Sequence, residues 1–441
     1  MKEVDLIITD TTILTCDNAF TRIEQGALAI DGDRIVALDK TPEITCRFSG
    51  RSSIAAANTI AMPGLVNCHT HAAMTCFRGM ADDLDLMTWL DKHIFPAEAK
   101  NVNPELVYWG SLLACLEMIK SGTTTFCDMY LFEGETAQAA KQAGMRCLLG
   151  EVLFDFPSPN VKTPAAGWAY IKKQLERWDG DPLINIMVEP HSLYTCSTEL
   201  LREAKQLADA YRLPYGLHLL ENAAERSQLL QKFGCKATEY LKDIGYLTER
   251  FLAFHCVMFD REDRQLFADH GCKVVHPPES NMKLGSGIAP VCAMLEAGIT
   301  VGLGTDGCAS NNNLDLFQEM DTAAKLHKVS ACDPTAMDAK TVLAMATREG
   351  AKALGMGETT GSLEVGKKAD IILIDLNKPH LTPLYNEYSH LVYAVSGADV
   401  DTVIIDGKVV MKNRTLLTLN EAEIMEKVRE IAIKIKKSLP T

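Results

Sequence analysis

Two histidines one residue apart, His69 and His71 in the stretch GLVNCHTHAAMT, end an apolar run with the composition of a buried strand. Side chains along a strand alternate faces, so positions i and i+2 project the same way. Two imidazoles converging from one strand end suit a borderline divalent metal, and other apolar runs end in further candidates. LPYGLHLLE carries His218 and Glu221, RFLAFHCV carries His255, LINIMVEPH ends in Glu189 and His191, CKVVH ends in His276, and ITVGLGTDG holds Asp306. Six of the eleven histidines therefore sit at strand ends. His69, His71, His218 and Asp306 form an N3O set suited to Zn2+, or to Fe2+ or Mn2+, with a position left for water. Glu221 lies just beyond the strand of His218, where a carboxyl can reach a substrate atom beside that water. His255 is suited to orient or polarise the same oxygen.

Other chemistries find no footing. No lysine accompanies Glu189-Pro190-His191, so a carbamylated lysine bridging two metals is not available there, and one divalent metal per chain is expected. There is no G-x-S-x-G, and GLGTDG is not followed by G-K-[ST], which leaves neither serine hydrolysis nor a phosphate loop.

The elements that must position these residues are legible in the hydrophobic pattern. From about residue 61 to 355, eight short apolar runs alternate with helical patterns. The runs are continuous rather than alternating, as strands buried on both faces are. This predicts an α/β fold, a (β/α)8 TIM barrel over 61–355, with its site at the C-terminal ends of the strands. Asp-Gly hairpin signals stand at Asp31-Gly32 in ALAIDGDRIVAL and at Asp406-Gly407 in DTVIIDGKVVM. Residues 1–60 and 356–441 are expected to meet as a small β-sandwich domain, followed by a terminal helix. In that helix Asn420 can cap, and Ile424, Val428, Ile431 and Ile435 form one stripe.

Composition narrows the partners. With 441 residues, 47% of them hydrophobic, the chain can bury a large core. A formal charge of -14, spread throughout, argues against nucleic acid and against an anionic membrane face and favours a small-molecule substrate. Homo-oligomerisation stays open. The start MKEVDLIITD lacks the parts of a signal peptide, so a cytoplasmic protein is expected. Fourteen cysteines, none spaced C-x-x-C, read as core packing at positions such as Cys115, Cys147 and Cys256.

Taken in order, MPGLVNCHTHAAMTCFRGMADDLDLMTWL, EPHSLYTCS, LHLLEN, AFHCV, SNMKLGSGIAPV, LGTDGCASNNNLDLFQEM and GSLEVGKKADIILIDL give the chain a resemblance. It resembles the amidohydrolase superfamily, and within it the 5'-methylthioadenosine/S-adenosylhomocysteine deaminases, close to the chlorohydrolase-like enzymes. The resemblance implies metal ligands at His69, His71, His218 and Asp306, with Glu221 and His255 as the catalytic pair. It implies that Trp89, Glu98 and His191 surround a purine nucleoside. Water activated at the metal, deprotonated with help from Asp306 and His255, would attack C6 of adenine while Glu221 protonates N1, and ammonia would leave. Glu98 would accept hydrogen bonds from both ribose hydroxyls. The same machinery would serve another amino-purine or amino-heterocycle, such as aminofutalosine, guanine or a triazine.

Two departures stand out. HPPESN has Pro277 where the family commonly has asparagine, and Glu279 adds a carboxylate. A homocysteine carboxylate would call for a cation, yet the third run offers Glu151, with Arg146 at its beginning, which favours neutral 5'-groups.

Overall fold

The structure is a computed structural model and describes residues 1–84 and 86–438. All eight apolar runs of the central region lie on parallel strands, and the pairing divides them between two sheets. One sheet orders Glu189–Pro190, Arg146–Leu153, Thr123–Tyr130 and Leu65–Thr70, with Ile184–Ile186 also on Arg146–Leu153. The other orders Tyr215–Leu219, Phe251–His255, Lys273–His276 and Thr300–Leu303. Single parallel bridges join the sheets at both seams, Thr70 to Asp306 at one and Val188 to Tyr215 and Ser192 to His218 at the other. Across them Asp306 N donates to His69 O and His218 N donates to His191 O, both at 2.9 Å. Both seams thus run through residues singled out for chemistry.

The fourth run is not one strand. It divides into Ile184–Ile186 and Glu189–Pro190, and between them Val188 N turns to Pro214 O across the seam.

The two ends of the chain interleave in one nine-stranded sheet. Thr59–Pro63 pairs antiparallel with Ile371–Asp375 and parallel with Lys2–Leu14, which stitches the N-terminal strands to the C-terminal ones. At the second hairpin Ile405 pairs with Lys408, and the turn residues Asp406 and Gly407 take φ of 52° and 76°. At the first, Asp31 pairs with Arg34, so the turn is Gly32-Asp33, one residue later than the Asp-Gly signal, with Gly32 at φ 60°. Glycine carries that left-handed φ without a Cβ penalty.

Arg146 couples this sheet to the parallel strands. Its Nε and Nη2 bond Asp370 Oδ2 and Oδ1 at 2.9 and 3.2 Å, and Nη2 also meets Asp406 Oδ1 at 3.2 Å. The paired, buried guanidinium is engaged far from the strand ends that carry the histidines.

The terminal helix, Glu421–Ser438, buries Ile424, Val428, Ile431 and Ile435, the expected stripe, and Asn420 Oδ1 caps Glu423 N at 3.3 Å. Val428, Ile431 and Ile435 share a core cluster with Trp89, Ile94 and Ala97, so this helix backs the segment that bears Trp89 and Glu98. All fourteen cysteines are free, and Cys115, Cys147 and Cys256 are buried. Among the described residues no helix is long and apolar enough to cross a membrane.

Candidate functional site

At the C-terminal ends of the parallel strands lies a cavity. Its wall contains His71, Trp89, Glu98, His191, His218, Glu221, His255 and Asp306, and His69 lies fully buried against them. The His69 ring is 4.8 Å from the His71 ring and 5.0 Å from that of His218, and it stacks on Phe254 at 4.1 Å.

Three short turns set this convergence. Leu220, His255, Cys256 and Asp306 all take left-handed φ, between 49° and 71°. Non-glycine residues rarely adopt that conformation, so packing and hydrogen bonds must hold it. Glu225, at the start of helix Ala223–Phe233, accepts from Leu220 N at 3.0 Å and Glu221 N at 2.7 Å and so clamps the turn that presents Glu221. Asp128 Oδ1 accepts from Thr70 Oγ1 and Ala72 N, one on each side of His71.

Most of the imidazoles have one nitrogen held, which fixes what the other faces. His71 Nδ1 meets Met129 O, His218 Nδ1 meets His191 O at 3.0 Å, and His255 Nδ1 meets Asn281 Oδ1 at 2.9 Å. His191 Nδ1 lies 2.9 Å from Thr195 Oγ1, and burial drives its pKa down to about 3, which keeps the ring neutral. Asp306 Oδ1 is 3.1 Å from His71 Nε2 and 3.5 Å from His69 Nε2, while Oδ2 accepts from Ser280 Oγ at 2.6 Å and Ser310 Oγ at 3.1 Å. Burial alone would raise the Asp306 pKa, but the bond to His71 and the positive charge of that ring hold it well below the usual carboxylate range. Burial pushes His69 and His218 well below the ordinary imidazole pKa, leaving neutral nitrogens of the kind that bind metals.

The donor set fits a divalent ion. His69, His71 and Asp306 form one group able to hold a metal, and His69, His218 and His255 form an overlapping one. The expected four are therefore spread over two groups that share His69. Neither ring nitrogen of His69 has a hydrogen-bond partner among the described residues, although the ring is fully buried. Such an orphaned imidazole in a His/Asp cluster calls for a cation between the rings.

Farther along the wall, Trp89 opens a π-helical turn, Trp89–Ile94, followed by helix Phe95–Asn101 with Glu98. Glu98 is buried rather than solvated, and Tyr130 Oη donates to its Oε1 at 2.6 Å. Burial raises the Glu98 pKa to about 7, against the lowering effect of Tyr130. Glu221 lies 4.0 Å from His255 Nε2, and burial raises its pKa as well. A carboxyl whose pKa is raised holds its proton more readily and so is suited to general acid work.

The amidohydrolase family pattern matches residues 60–410. The chain belongs to the amidohydrolase family. A relative in Syntrophus aciditrophicus (strain SB) named 5-methylthioadenosine/S-adenosylhomocysteine deaminase 1 is 64% identical over 439 residues, which is 100% of this chain and 99% of the relative. A Methanosarcina acetivorans protein named 5'-deoxyadenosine deaminase is 47% identical, with 97% of this chain and 98% of that protein covered. The crystal structure of an adenosine deaminase from Xanthomonas campestris with bound zinc superposes with a TM-score of 0.97 at 38% identity, covering 99% of each chain.

In this amidohydrolase both sequence departures have local explanations. Glu151 does not line the cavity. Its carboxylate accepts from Phe132 N at 3.2 Å and Glu133 N at 2.9 Å, capping helix Glu133–Ala143, and from Asn160 Nδ2 at 2.6 Å. Strand alternation sends Glu151 toward the helices and its neighbour Val152 into the cavity wall. Glu279 accepts from Asn313 Nδ2 at 3.0 Å and Thr322 Oγ1 at 2.9 Å, which ties the HPPESN segment, helical over Pro278–Lys283, to helix Leu316–Ala331. Ser280 and Asn281 of that short helix reach Asp306 and His255.

His276 pairs with His327 at 3.2 Å between their Nε2 atoms and stays out of the cavity wall. Glu189 is fully buried, and burial raises its pKa well above normal. Sequence reasoning missed Tyr130, Glu225, Ser280, Asn281 and Ser310. Only the Ser-Asn pair of HPPESN carried a visible signal.

Proposed function

We propose that this amidohydrolase is a divalent-metal-dependent hydrolytic deaminase of 5'-modified adenosines, converting them to the inosine analogues with release of ammonia. One cavity that joins a His/Asp metal set, a protonatable Glu221 and a buried, tethered Glu98 carries the reading. The names of the Syntrophus and Methanosarcina relatives and of the Xanthomonas structure support it.

His69, His71, His218 and Asp306 would hold one Zn2+ per chain. When bound, the ion supplies a Lewis acid that activates water and polarises the reacting centre. The chain's own groups do the rest. Glu221 gives its proton to N1 of the adenine ring as C6 is attacked. Asp306 and His255, the latter fixed by Asn281, take up the proton of the water and return one to the departing amino group. Trp89 and His191 flank the nucleoside, and Glu98 accepts from the ribose hydroxyls.

The scaffold in this reading is a (β/α)8 barrel over 61–355, its two parallel sheets meeting at the bridged seams. Residues 1–60 and 356–441 then make up a small β-sandwich domain with the terminal helix. Its core is the cluster that joins Leu6, Ile8 and Leu28 to Ile371, Leu373 and Ile404.

Ammonia release by the zinc-loaded protein tests the assignment. 5'-Methylthioadenosine and 5'-deoxyadenosine should be turned over and adenine should be poor. Glu98→Gln should lower kcat/KM for the nucleosides at unchanged metal content. Equal turnover of adenine and its nucleosides would move the assignment to free-base deaminases.

A further inference from the structure

The rings on one side of the cavity form a continuous series leading away from the metal set. His218 and His191 have centroids 4.9 Å apart, His191 and Phe154 5.0 Å, and Phe154 stacks on Phe156 at 4.7 Å with planes 20° apart. Phe95 meets both Phe154 and Phe156 edge-on at 6.4 Å. Phe156 is 45% exposed and lies outside the cavity wall, so the series runs from the cavity to the surface. Phe95 lies three residues before Glu98 on the same helix, which puts the two side chains on one face.

We infer that Phe95 and Phe154, backed by Phe156, form the subsite for the 5'-substituent and select a compact, uncharged group such as a methylthioether or a methyl. The inference rests on the nucleoside reading above: with the ribose on Glu98, Phe95, one helical turn away on the same face and in the same cavity wall, is the neighbour of the 5'-substituent. The surroundings suit an apolar group. Leu90, Ile94, Leu131 and Leu284 also line the cavity, its acidic groups are Glu98, Glu221 and Asp306, and among the described residues no lysine or arginine lines it. Lys283, next to the lining residue Leu284, is paired with Asp82. An amino-acid carboxylate at this wall would lose water without gaining a counter-charge, and a 5'-hydroxyl would be desolvated against phenyl rings. A thioether sulfur gains contacts to ring edges instead. Selection for neutrality therefore comes from the aromatic wall and not from Glu151, which faces the helix layer.

Steady-state kinetics of the zinc-loaded enzyme on 5'-methylthioadenosine, 5'-deoxyadenosine, adenosine and S-adenosylhomocysteine test this. The first two should exceed the last two in kcat/KM by about tenfold or more, the scale of discrimination by one small group. Phe154→Ala should lower kcat/KM for 5'-methylthioadenosine by about tenfold while adenosine changes by less than about threefold. Phe156→Ala, at the exposed end of the series, should shift the same ratio in the same direction and does not threaten folding. Adenosine or S-adenosylhomocysteine turned over as well as 5'-methylthioadenosine, or equal losses on all four substrates in both variants, would overturn the subsite. Failure of the wild type on all four, with turnover of adenine, would instead overturn the nucleoside reading beneath it.

Discussion

Tyr130 and Glu98 meet across 32 residues of sequence in a buried hydrogen bond of 2.6 Å, the phenol at the end of one parallel strand and the carboxylate on the helix that follows the first strand. To accept from two ribose hydroxyls, as proposed for Glu98, a carboxylate needs a fixed orientation, and Tyr130 supplies it while leaving Oε2 free of that bond. The phenol also lowers the Glu98 pKa against the upward push of burial, which sets it at about 7.

Tyr130→Phe should therefore raise KM for nucleosides by roughly tenfold, the worth of one lost hydrogen bond to a charged group. Metal content should not change. With its donor gone, the Glu98 pKa rises, and the acidic limb of the kcat/KM profile should move to higher pH. Kinetics from pH 5.5 to 9 check both outcomes, and an unmoved acidic limb would detach Tyr130 from Glu98 ionisation.

Glu225 clamps the backbone of Leu220 and Glu221 where Leu220 sits at φ 52°. Glu225→Ala should release that turn and lower kcat by about 10- to 100-fold with KM changed less than about threefold, the pattern of a loss felt in the chemical step. Glu225→Gln keeps one acceptor oxygen and should recover part of the loss. A general structural defect would instead lower the amount of folded, metal-loaded enzyme, so rates are normalised to bound zinc.

Which of these features the sequence displays follows from how local they are. His69 and His71 are legible because strand alternation fixes i and i+2 on one side, and Asp306 because it ends an apolar run. The stripe Ile424, Val428, Ile431 and Ile435 is legible for the same reason at helical period. The Tyr130–Glu98 and Glu225–Glu221 pairs depend on the angle between elements or on a left-handed turn, neither of which has a periodic signature. Glu151 was misread because its place near the end of a strand was weighed and its parity was not: alternation sends it outward to cap a helix. The fourth run likewise divides at Met187-Val188, where Val188 N bonds Pro214 O across the seam, a place that hydrophobicity alone does not mark.

His69 is the residue shared by both metal-capable groups. His69→Ala and Asp306→Ala should each abolish stable zinc binding and lower kcat on the order of a thousandfold or more. Elemental analysis of the wild type should give one divalent ion per chain, and chelation followed by Zn2+ should restore activity. Two ions per chain, or near-normal turnover by either variant after chelation, would refute the ligand set.

Glu151 offers a test of stability that is separate from catalysis. Burial pushes its pKa up to about 7 from the ordinary 4.5, while Asn160 and the N–H groups of Glu133 and Phe132 pull it back. A carboxyl with a raised pKa holds its proton more tightly in the folded chain than in the unfolded one. Its contribution to stability is thus fully present below about pH 4.5 and is lost as pH rises through about 7. Glu151→Gln removes this pH dependence, and it sets an amide NH2 against one of the backbone donors that the carboxylate accepted. The variant should be less stable than the wild type, by about 1–3 kcal/mol for a mispaired buried group. The gap should be widest near pH 5 and narrower at pH 8, where the wild type has lost its protonated advantage. Thermal midpoints of the two proteins across that range measure it, and a gap that widens with pH would show that Glu151 is held ionised by the helix it caps.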